Sequence, residues 1–278
     1  MVQIKINEEL CIGCGDCATD CVHQILELSD GIPSMISDRI NNCIQCQHCL
    51  AVCPTGALSI MGLDPQNSLQ LPADVPSSKQ MENLIKSRRS TRQYRQENID
   101  TETLDKLLKI IAYAPTGMNR QKVLLTVVND IDTMSILRQR TYSAIQEKID
   151  SNAPLSEKQK WLVDYINGWQ NGADHIYRHA PHIVIASTPR GIGTPLADCV
   201  IALSYFELQA ASMGLGTTWC GLAIMSLNEF APDLLTELGI PADHEVGYMM
   251  LFGKPTVTYH RTVQISSDRV NFPKLNKI

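Results

Sequence analysis

The sequence predicts an α+β chain of two domains, a small cysteine-rich one followed by a larger one. Eight of the ten cysteines lie between Cys11 and Cys53. Residues 62–79, GLDPQNSLQLPADVPSSK, are rich in Pro, Ser, Asp and Gln and show no hydrophobic period, which is typical of a linker. Helical and strand patterns follow that stretch. We therefore predict domains over residues 1–62 and 81–278, joined by a linker over 63–80.

Composition and charge narrow the class of protein. The 278 residues are 44% hydrophobic and 19% charged, which is enough apolar surface for a buried core. A net charge of -5 provides no basic field, so we expect no nucleic-acid partner. The start, MVQIKINEEL, has no apolar run, and Asp198 and Glu207 interrupt the longest apolar stretch, so we expect no membrane partner and a cytoplasmic location. Because cytoplasmic thiols stay reduced, the clustered cysteines indicate bound metal rather than disulfides.

The cysteines form an internal repeat. CIGCGDCATDC, residues 11–21, has the spacing C-x2-C-x2-C-x3-C, and CIQCQHCLAVCP repeats it at an offset of 32 residues. Soft thiolates in this spacing suit iron in sulfide clusters. Zinc is the alternative, although it usually takes C-x2-C pairs separated by longer loops. The duplicated spacing favours two clusters.

Residues 1–60 resemble the two-cluster bacterial ferredoxin domain, including the Cys-Pro ending at Cys53. One departure is Val22, which follows Cys21 where a proline is expected and so puts the local turn in question. In this arrangement the fourth cysteine of each run serves the other cluster. The resemblance implies one [4Fe-4S] cluster on Cys11, Cys14, Cys17 and Cys53, and a second on Cys43, Cys46, Cys49 and Cys21. Such a domain stores single electrons, so the second domain must use them or dock a protein that does.

The larger domain begins with a helical stripe that leads into SRRSTRQY, residues 87–94. Arg88, Arg89 and Arg92 cluster there with Ser90, a composition that fits an anion, although a solvated basic surface is the alternative. The next predicted helix, residues 103–112, stops before YAPTGMNRQ, residues 113–121.

Strands are predicted over 123–128 and 182–187. The region 133–180 between them has helical patterns, and we expect it to form a lid or a wall of the substrate site. The segment PRGIGTPLADC, residues 189–199, lacks the third glycine of a dinucleotide-binding fingerprint. Pro195 directly after Thr194 is typical of a helix start, which explains the segment without a ligand. The helix over 195–213 is apolar on most faces, so we expect it to be central, with Cys199 packed inside.

GLGTTWCGLAI, residues 214–224, has glycines at 214, 216 and 221 that permit a close backbone approach, as a flat ring requires. A helix C-cap and turn is the alternative. Residues 80–261 resemble the nitroreductase family, because they contain four of its motifs in the family's order. The motifs are RRSxR, APTGxNRQ, GLGTTWCG and LFGKPTVTYHR (251–261). That family has a nitroreductase-type α/β sandwich domain that dimerises, with FMN at the subunit interface. The resemblance therefore implies a homodimer.

The resemblance also implies roles for residues. The arginines at 88, 89 and 261 and Ser90 would contact the phosphate and ribityl tail, and Arg92 the flavin N1/O2 edge, where positive charge favours the reduced flavin. The backbone N-H groups of Cys220 and Gly221 would face flavin N5 and O4, with the Cys220 thiol structural by default. The partner subunit would supply the APTGxNRQ residues. The implied FMN-binding set is Arg88, Arg89, Ser90, Arg92, Pro115, Thr116, Gly117, Asn119, Gln121, Trp219, Cys220, Gly221 and Arg261.

From these residues we predict an FMN oxidoreductase that receives electrons through two [4Fe-4S] clusters. It would reduce a small electrophilic acceptor, such as a nitroaromatic or quinone, by ping-pong hydride transfer from flavin N5. A redox protein is the expected donor, with NADH or NADPH as a second route. Three alternatives stay open: reductive dehalogenation or enone reduction on the same flavin, an electron carrier that relays to a protein partner, and a module that stores FMN.

Overall fold

A computed structural model of the chain describes residues 2–71, 74–151, 160, 162–266 and 269–275. It divides into two compact units, one of Met1–Pro76 with Gly117–Arg120 and one of Ser77–Thr116 with Gln121–Ile278. Among the helices in these described ranges, none has the length and apolar character needed to cross a membrane.

The first unit contains two small antiparallel pairs of strands and two one-turn helices. Leu26 and Leu58 begin equivalent strands of the two halves, 32 residues apart, and both are buried. The elements are β1 (Ile4–Ile6) paired with β4 (Leu58–Ile60), β2 (Leu26–Ser29) paired with β3 (Ile32–Met35), α1 (Asp16–Thr19) and α2 (His48–Ala51).

The sequence repeat is also a repeat of backbone conformation. Each one-turn helix starts after a residue in the left-handed region, where glycine is the least strained choice but glutamine stands in the second half. The turn after Cys21 matches the turn after Cys53, so Val22 does not change it. The left-handed residues that correspond at an offset of 32 are Gly13 and Gln45, Gly15 and Gln47, and Gln24 and Gly56.

The second unit is a four-stranded sheet covered by helices on both faces. The strands are β5 (Leu124–Val128), β6 (His182–Pro189), β7 (Gly216–Trp219) and β8 (His244–Gly253). The helices are α3 (Ser78–Ser87), α4 (Thr101–Lys109), α5 (Ile131–Asp150), α6 (Leu162–Gln170), α7 (Pro195–Ser212), α8 (Gly221–Phe230) and α9 (Pro232–Glu237). The predicted strands over 123–128 and 182–187 and the helix from Pro195 are confirmed.

The sheet is antiparallel throughout, in the order β5-β6-β8-β7. Successive side chains of a strand point to opposite faces, and both faces are buried here. Ile183 and Ile185 pack in one core cluster, while Val184 and Ala186 pack in the other. This burial on both sides explains the continuous apolar run of β6 and confirms a mixed helix and strand sandwich.

The helix α7 lies in the second of these clusters, as its apolar composition predicts. Cys199, Leu203 and Phe206 are fully buried along it. Its first helical residue is Pro195, whose fixed φ and missing N-H suit a helix start. The sequence of residues 189–199 is therefore explained by a helix start and does not require a dinucleotide site.

Candidate cofactor sites

The eight clustered cysteines of the first unit gather into two pockets, each combining residues from both halves of the repeat. A cubane cluster requires four thiolates that surround a space rather than converge on a point. One pocket is lined by Cys21, Cys43, Cys46 and Cys49, and the other by Cys11, Cys14, Cys17 and Cys53. These are the two sets that the ferredoxin resemblance implies.

The last cysteine of each run accepts a backbone hydrogen bond. The Ile25 N-H donates to Cys21 Sγ at 3.4 Å, and the Ala57 N-H donates to Cys53 Sγ at 3.2 Å. Burial raises the pKa of the Cys53 thiol, but hydrogen bonds from Thr55 and Ala57 outweigh it, so the net pKa is lowered. Hydrogen bonds to cluster sulfurs are one of the means by which proteins set cluster potentials.

The zinc alternative makes a different demand on the ligands. A zinc ion needs four ligands that meet at one point at bond lengths near 2.3 Å for sulfur. Within the described ranges, no group of three or more Cys, His, Asp or Glu side chains is placed to hold a single metal ion. The two pockets each offer four thiols, the number of cysteine ligands that one cubane cluster takes.

In the second unit, the RRSxR segment lies along the edge strand β7. Ser90 forms a parallel bridge with Thr217, and the Thr91 N-H donates to the Thr217 carbonyl at 2.8 Å. A Cβ atom at Gly216 would come within 2.4 Å of Thr91, so only glycine allows this approach. The glycine at 216 in the GLGTTWCG motif therefore makes room for the RRSxR segment beside β7.

Buried hydroxyl groups hold this segment in place. The Thr91 carbonyl accepts hydrogen bonds from the Tyr94 hydroxyl, at 2.6 Å, and from the Thr218 hydroxyl. The Tyr94 hydroxyl also lies 3.1 Å from Thr218 Oγ1. Because these groups are buried, their pairing fixes the backbone on which the arginines are carried.

The LFGKPTVTYHR motif also contacts the RRSxR segment. The Tyr259 hydroxyl donates to the Ser90 carbonyl at 3.3 Å, and Arg261 follows two residues later on an exposed segment. Three of the four motifs that resemble the nitroreductase family thus meet around Ser90 and β7. Arg88 and Arg89 are half-buried there, and Arg92 is exposed.

Cys220 follows the last residue of β7 and is the N-cap residue of α8. Its thiol is buried and donates to the Ile176 carbonyl at 3.2 Å, and burial raises the pKa of the thiol to about 11. The Cys220 N-H donates to the Met249 carbonyl at 3.0 Å, within the sheet. The strand pairing therefore already uses this N-H, and the expectation that it faces the flavin stays a prediction.

Gly221 is the exposed first residue of α8. The first N-H groups of a helix have no intrahelical acceptor, and the helix dipole makes this end favourable for negative charge. The Gly221 N-H is therefore the better candidate of the two for the flavin N5/O4 edge. Trp219, on the preceding strand, packs edge-on against Tyr248 with ring centroids 5.1 Å apart.

The Cys220 thiol is hydrogen-bonded to a buried polar network that the sequence analysis missed. The Arg138 Nε donates to Asp174 Oδ2 at 2.7 Å, and the Tyr142 hydroxyl donates to Asp174 Oδ1 at 3.0 Å. The Tyr142 hydroxyl in turn accepts the Ile176 N-H at 3.1 Å, and the Ile176 carbonyl accepts the Cys220 thiol. An arginine on the buried face of α5, between Leu137 and Thr141, is the signal that could have predicted this network.

The APTGxNRQ residues are divided between the two units. In the second unit, Thr116 Oγ1 accepts the Gln121 N-H at 2.9 Å, and Pro115 is exposed. In the first unit, which includes Gly117, the Asn119 side-chain amide donates to the Ile44 carbonyl at 2.9 Å. Their assignment to a flavin of the partner subunit stays a prediction.

Known proteins match both parts of the chain. A family model described as "Nitroreductase family" matches residues 85–254, and one described as "4Fe-4S dicluster domain" matches residues 10–58. None of the curated proteins matches the chain.

Solved structures share the fold of the larger part. A nitroreductase with bound FMN from Bacteroides fragilis is 23% identical, with a TM-score of 0.56 over 69% of this chain and 98% of its own. A nitroreductase with bound FMN from Desulfitobacterium hafniense is 20% identical, with a TM-score of 0.55 over 69% and 97%. A BluB-like flavoprotein from Clostridium difficile is 21% identical, with a TM-score of 0.53 over 70% and 99%.

Proposed function

We propose, because the chain belongs to the nitroreductase family of oxidoreductases and carries a 4Fe-4S dicluster domain, that it is an FMN-dependent oxidoreductase. It takes electrons through two [4Fe-4S] clusters and reduces a small electrophilic acceptor, such as a nitroaromatic or a quinone, in a ping-pong cycle. The observation that carries this proposal is the pairing of Ser90 with Thr217, which brings the RRSxR segment beside the strand that leads to Gly221.

The residues of the second unit fit FMN at both of its ends. Arg88 and Arg89 supply planar guanidinium groups, the side chains best suited to bind a phosphate, and Arg261 lies on the segment that Tyr259 anchors nearby. At the other end, the N-terminus of α8 presents the Gly221 N-H. When bound, FMN supplies hydride chemistry at N5, and the clusters supply single electrons.

The chain's own residues bind and orient, and none of the assigned groups acts as a nucleophile. With a pKa of about 11, the buried Cys220 thiol stays protonated near neutral pH, so it is not a reactive thiolate. The Gly221 N-H, at the positive end of a helix, would stabilise negative charge at the flavin edge. Arg92, exposed and one residue after Thr91, would favour a negative charge at the N1/O2 edge.

The homodimer is part of the proposal. Pro115, Thr116 and Gln121 lie on the second unit and contact the flavin of the other copy in this scheme. Sedimentation of the purified protein would give a mass of two chains, and a monomer with full flavin content would contradict this assignment.

The decisive experiment is anaerobic purification with iron, sulfide and flavin quantified per chain. Stopped-flow reduction by NADH, NADPH and a reduced ferredoxin then identifies the donor, and steady-state turnover with a nitroaromatic, a quinone, an activated alkene and a halogenated aromatic identifies the acceptor class. We expect eight iron atoms and one FMN per chain, and the fastest flavin reduction from the ferredoxin.

The outcomes separate the candidate functions. Turnover of the nitroaromatic or quinone supports the proposal, while preference for the alkene or the halogenated compound supports the alternative acceptors. Failure with every small acceptor, together with fast reduction of a protein acceptor, would identify an electron carrier instead. A preparation that lacks flavin or iron after anaerobic isolation contradicts the proposal as a whole.

A further inference from the structure

Glu207 is a buried carboxylate in the middle of the apolar helix α7, and no step above uses it. Its side chain is 10% exposed, and its neighbours Leu203, Phe206 and Ala210 are fully buried. A carboxylate in such surroundings is costly unless it is paired. Glu207 is paired, because its Oε1 lies 2.8 Å from Arg88 Nη1.

The pair connects three elements of the second unit. Arg88 is the C-cap residue of α3, and its N-H donates to the Leu84 carbonyl. The Thr217 hydroxyl, on β7, lies 3.4 Å from the same Glu207 oxygen. The guanidinium of Arg88 is therefore held over the point where Ser90 meets Thr217, with its side chain 28% exposed.

The chemistry of arginine makes this contact directional. A guanidinium has five N-H donors in one plane, and Glu207 engages one nitrogen, Nη1. An anion that binds Arg88 side-on through its other nitrogens meets a fork whose orientation is already set, so less rotamer freedom is lost on binding.

We propose that Glu207 is a positioning residue that presents Arg88 to the phosphate of FMN, and that it thereby sets the preference of the protein for FMN over riboflavin. This inference rests on the proposed FMN function. Riboflavin has the same ring and ribityl chain but no phosphate, so it does not need an oriented Arg88.

Glu207 also has an opposing effect. Its negative charge lies one side chain away from a predicted phosphate site and repels a phosphate. Orientation outweighs this repulsion, because Glu207 and Arg88 form a neutral pair and the remaining cations at 89 and 261 are left to attract the anion. The two effects predict opposite signs when Glu207 is neutralised, which makes the inference testable.

The test is titration of the full-length apoprotein with FMN and with riboflavin, followed by flavin fluorescence. In Glu207→Gln, we expect the Kd for FMN to rise by about tenfold while the Kd for riboflavin stays unchanged. Glu102→Gln is the matched control, since Glu102 also forms a helical ion pair, with Lys106, but is exposed on α4. The control should keep the wild-type ratio of the two Kd values.

A double-mutant cycle shows whether Glu207 acts through Arg88. In an Arg88→Gln background, Glu207→Gln should have no further effect on the FMN-to-riboflavin ratio. If Glu207→Gln does not fold, Thr217→Val removes the second partner of the carboxylate and should shift the ratio in the same direction by a smaller factor.

Three results would overturn the inference: unchanged or tighter FMN binding, an equal loss for both flavins, or an undiminished effect in the Arg88→Gln background. These results are distinct from failure of the proposed function, in which the wild-type protein binds neither flavin and both statements fall. Wild-type protein that prefers FMN, with a variant that keeps the preference, removes only the role of Glu207.

Discussion

The two units differ in what holds them together. In the first unit, the buried apolar cluster is small and includes a predicted ligand, Cys17, beside Leu26, Leu50, Leu58 and Ile60. The second unit has two extended clusters, one on each face of its sheet. A small domain with so few buried residues depends on bound metal for its stability. The first unit should therefore respond to loss of its cofactors far more strongly than the second.

The largest effect should come from a cysteine of the repeat. Cys46→Ser removes one ligand from its pocket, and we expect loss of that cluster, about half of the iron and sulfide, because one cubane has four cysteine ligands. Flavin content should stay intact, while reduction of the flavin by a reduced ferredoxin should slow. Iron and sulfide analysis and stopped-flow absorbance measure these changes.

Cys199→Ser is the control for that variant, because it makes the same change at a cysteine that lies outside the repeat, buried on α7 in the second unit. It should keep the full iron content. An unchanged rate of flavin reduction in Cys46→Ser would show that this cluster does not carry electrons to the flavin, and full iron content would show that it is not a ligand.

The next effect concerns the buried ion pair of the second unit. Asp174 is fully buried and Arg138 is 10% exposed, so Asp174→Asn leaves a buried guanidinium without its counter-charge. We expect the free energy of unfolding to fall by about 3–5 kcal/mol. Urea unfolding followed by tryptophan fluorescence reports on this unit alone, because all three tryptophans lie after residue 121.

The matched control is Glu237→Gln, which breaks the exposed pair between Glu237 and Arg140. Exposed pairs contribute little, so the unfolding curve should not move. Equal losses in the two variants would contradict the view that burial, and not the ion pair itself, sets the cost.

A smaller effect should appear with pH. Burial lowers the pKa of His182 to about 4 from an ordinary value of 6.5, although nearby Asp130 raises it in part. Between these values the unfolded chain binds more protons than the folded one, so stability is full above pH 6.5 and is lost as the pH falls. The loss should reach about 3 kcal/mol at pH 4.

His182→Gln tests this assignment, since Gln keeps an acceptor for the Ile99 N-H but does not titrate in this range. The slope of unfolding free energy against pH, between pH 6.5 and 4, should be flatter in the variant. The same slope in both proteins would assign the pH dependence to other groups.

The smallest effect should fall on cofactor affinity. Arg89→Ala removes one charge-assisted contact to the predicted phosphate, and we expect the Kd for FMN to rise by about tenfold, as for a hydrogen bond to a charged group. Arg95→Ala, at an exposed arginine just after this segment, should leave the Kd unchanged. Full FMN affinity in Arg89→Ala would contradict the phosphate assignment, and cluster content should be normal in both variants.

Local patterns were sufficient to predict much of the fold. The strands β5 and β6 and the helix α7 follow from apolar runs and from Pro195 as a helix start, because these are preferences of neighbouring residues. The cysteine spacing implied two sets of four thiols, and the two pockets contain those sets, because the ligand spacing is itself a local property.

The partners of buried charges could not be predicted in this way. Arg88 meets Glu207 across 119 positions of sequence, and Arg138 meets Asp174 across 36. A charged residue is predicted to be exposed by default, since most charged side chains lie at the surface. No neighbouring residue in the sequence reveals a buried partner of opposite charge. The only sequence signal is the setting of these residues, since Arg138 lies on the buried face of α5 and Glu207 lies within the apolar run of α7.

The sequence alone was enough to indicate a dicluster ferredoxin-like part and a flavin-type oxidoreductase part, because ligand spacing and motif order are carried by consecutive residues. Tertiary structure decided which backbone donors near the candidate site are already paired within the protein. The Cys220 N-H is engaged by Met249 through the register of β7 on β8, which leaves the Gly221 N-H at the start of α8. Hydrogen-bond partners in a sheet depend on which strands lie side by side, and that is a property of the whole fold.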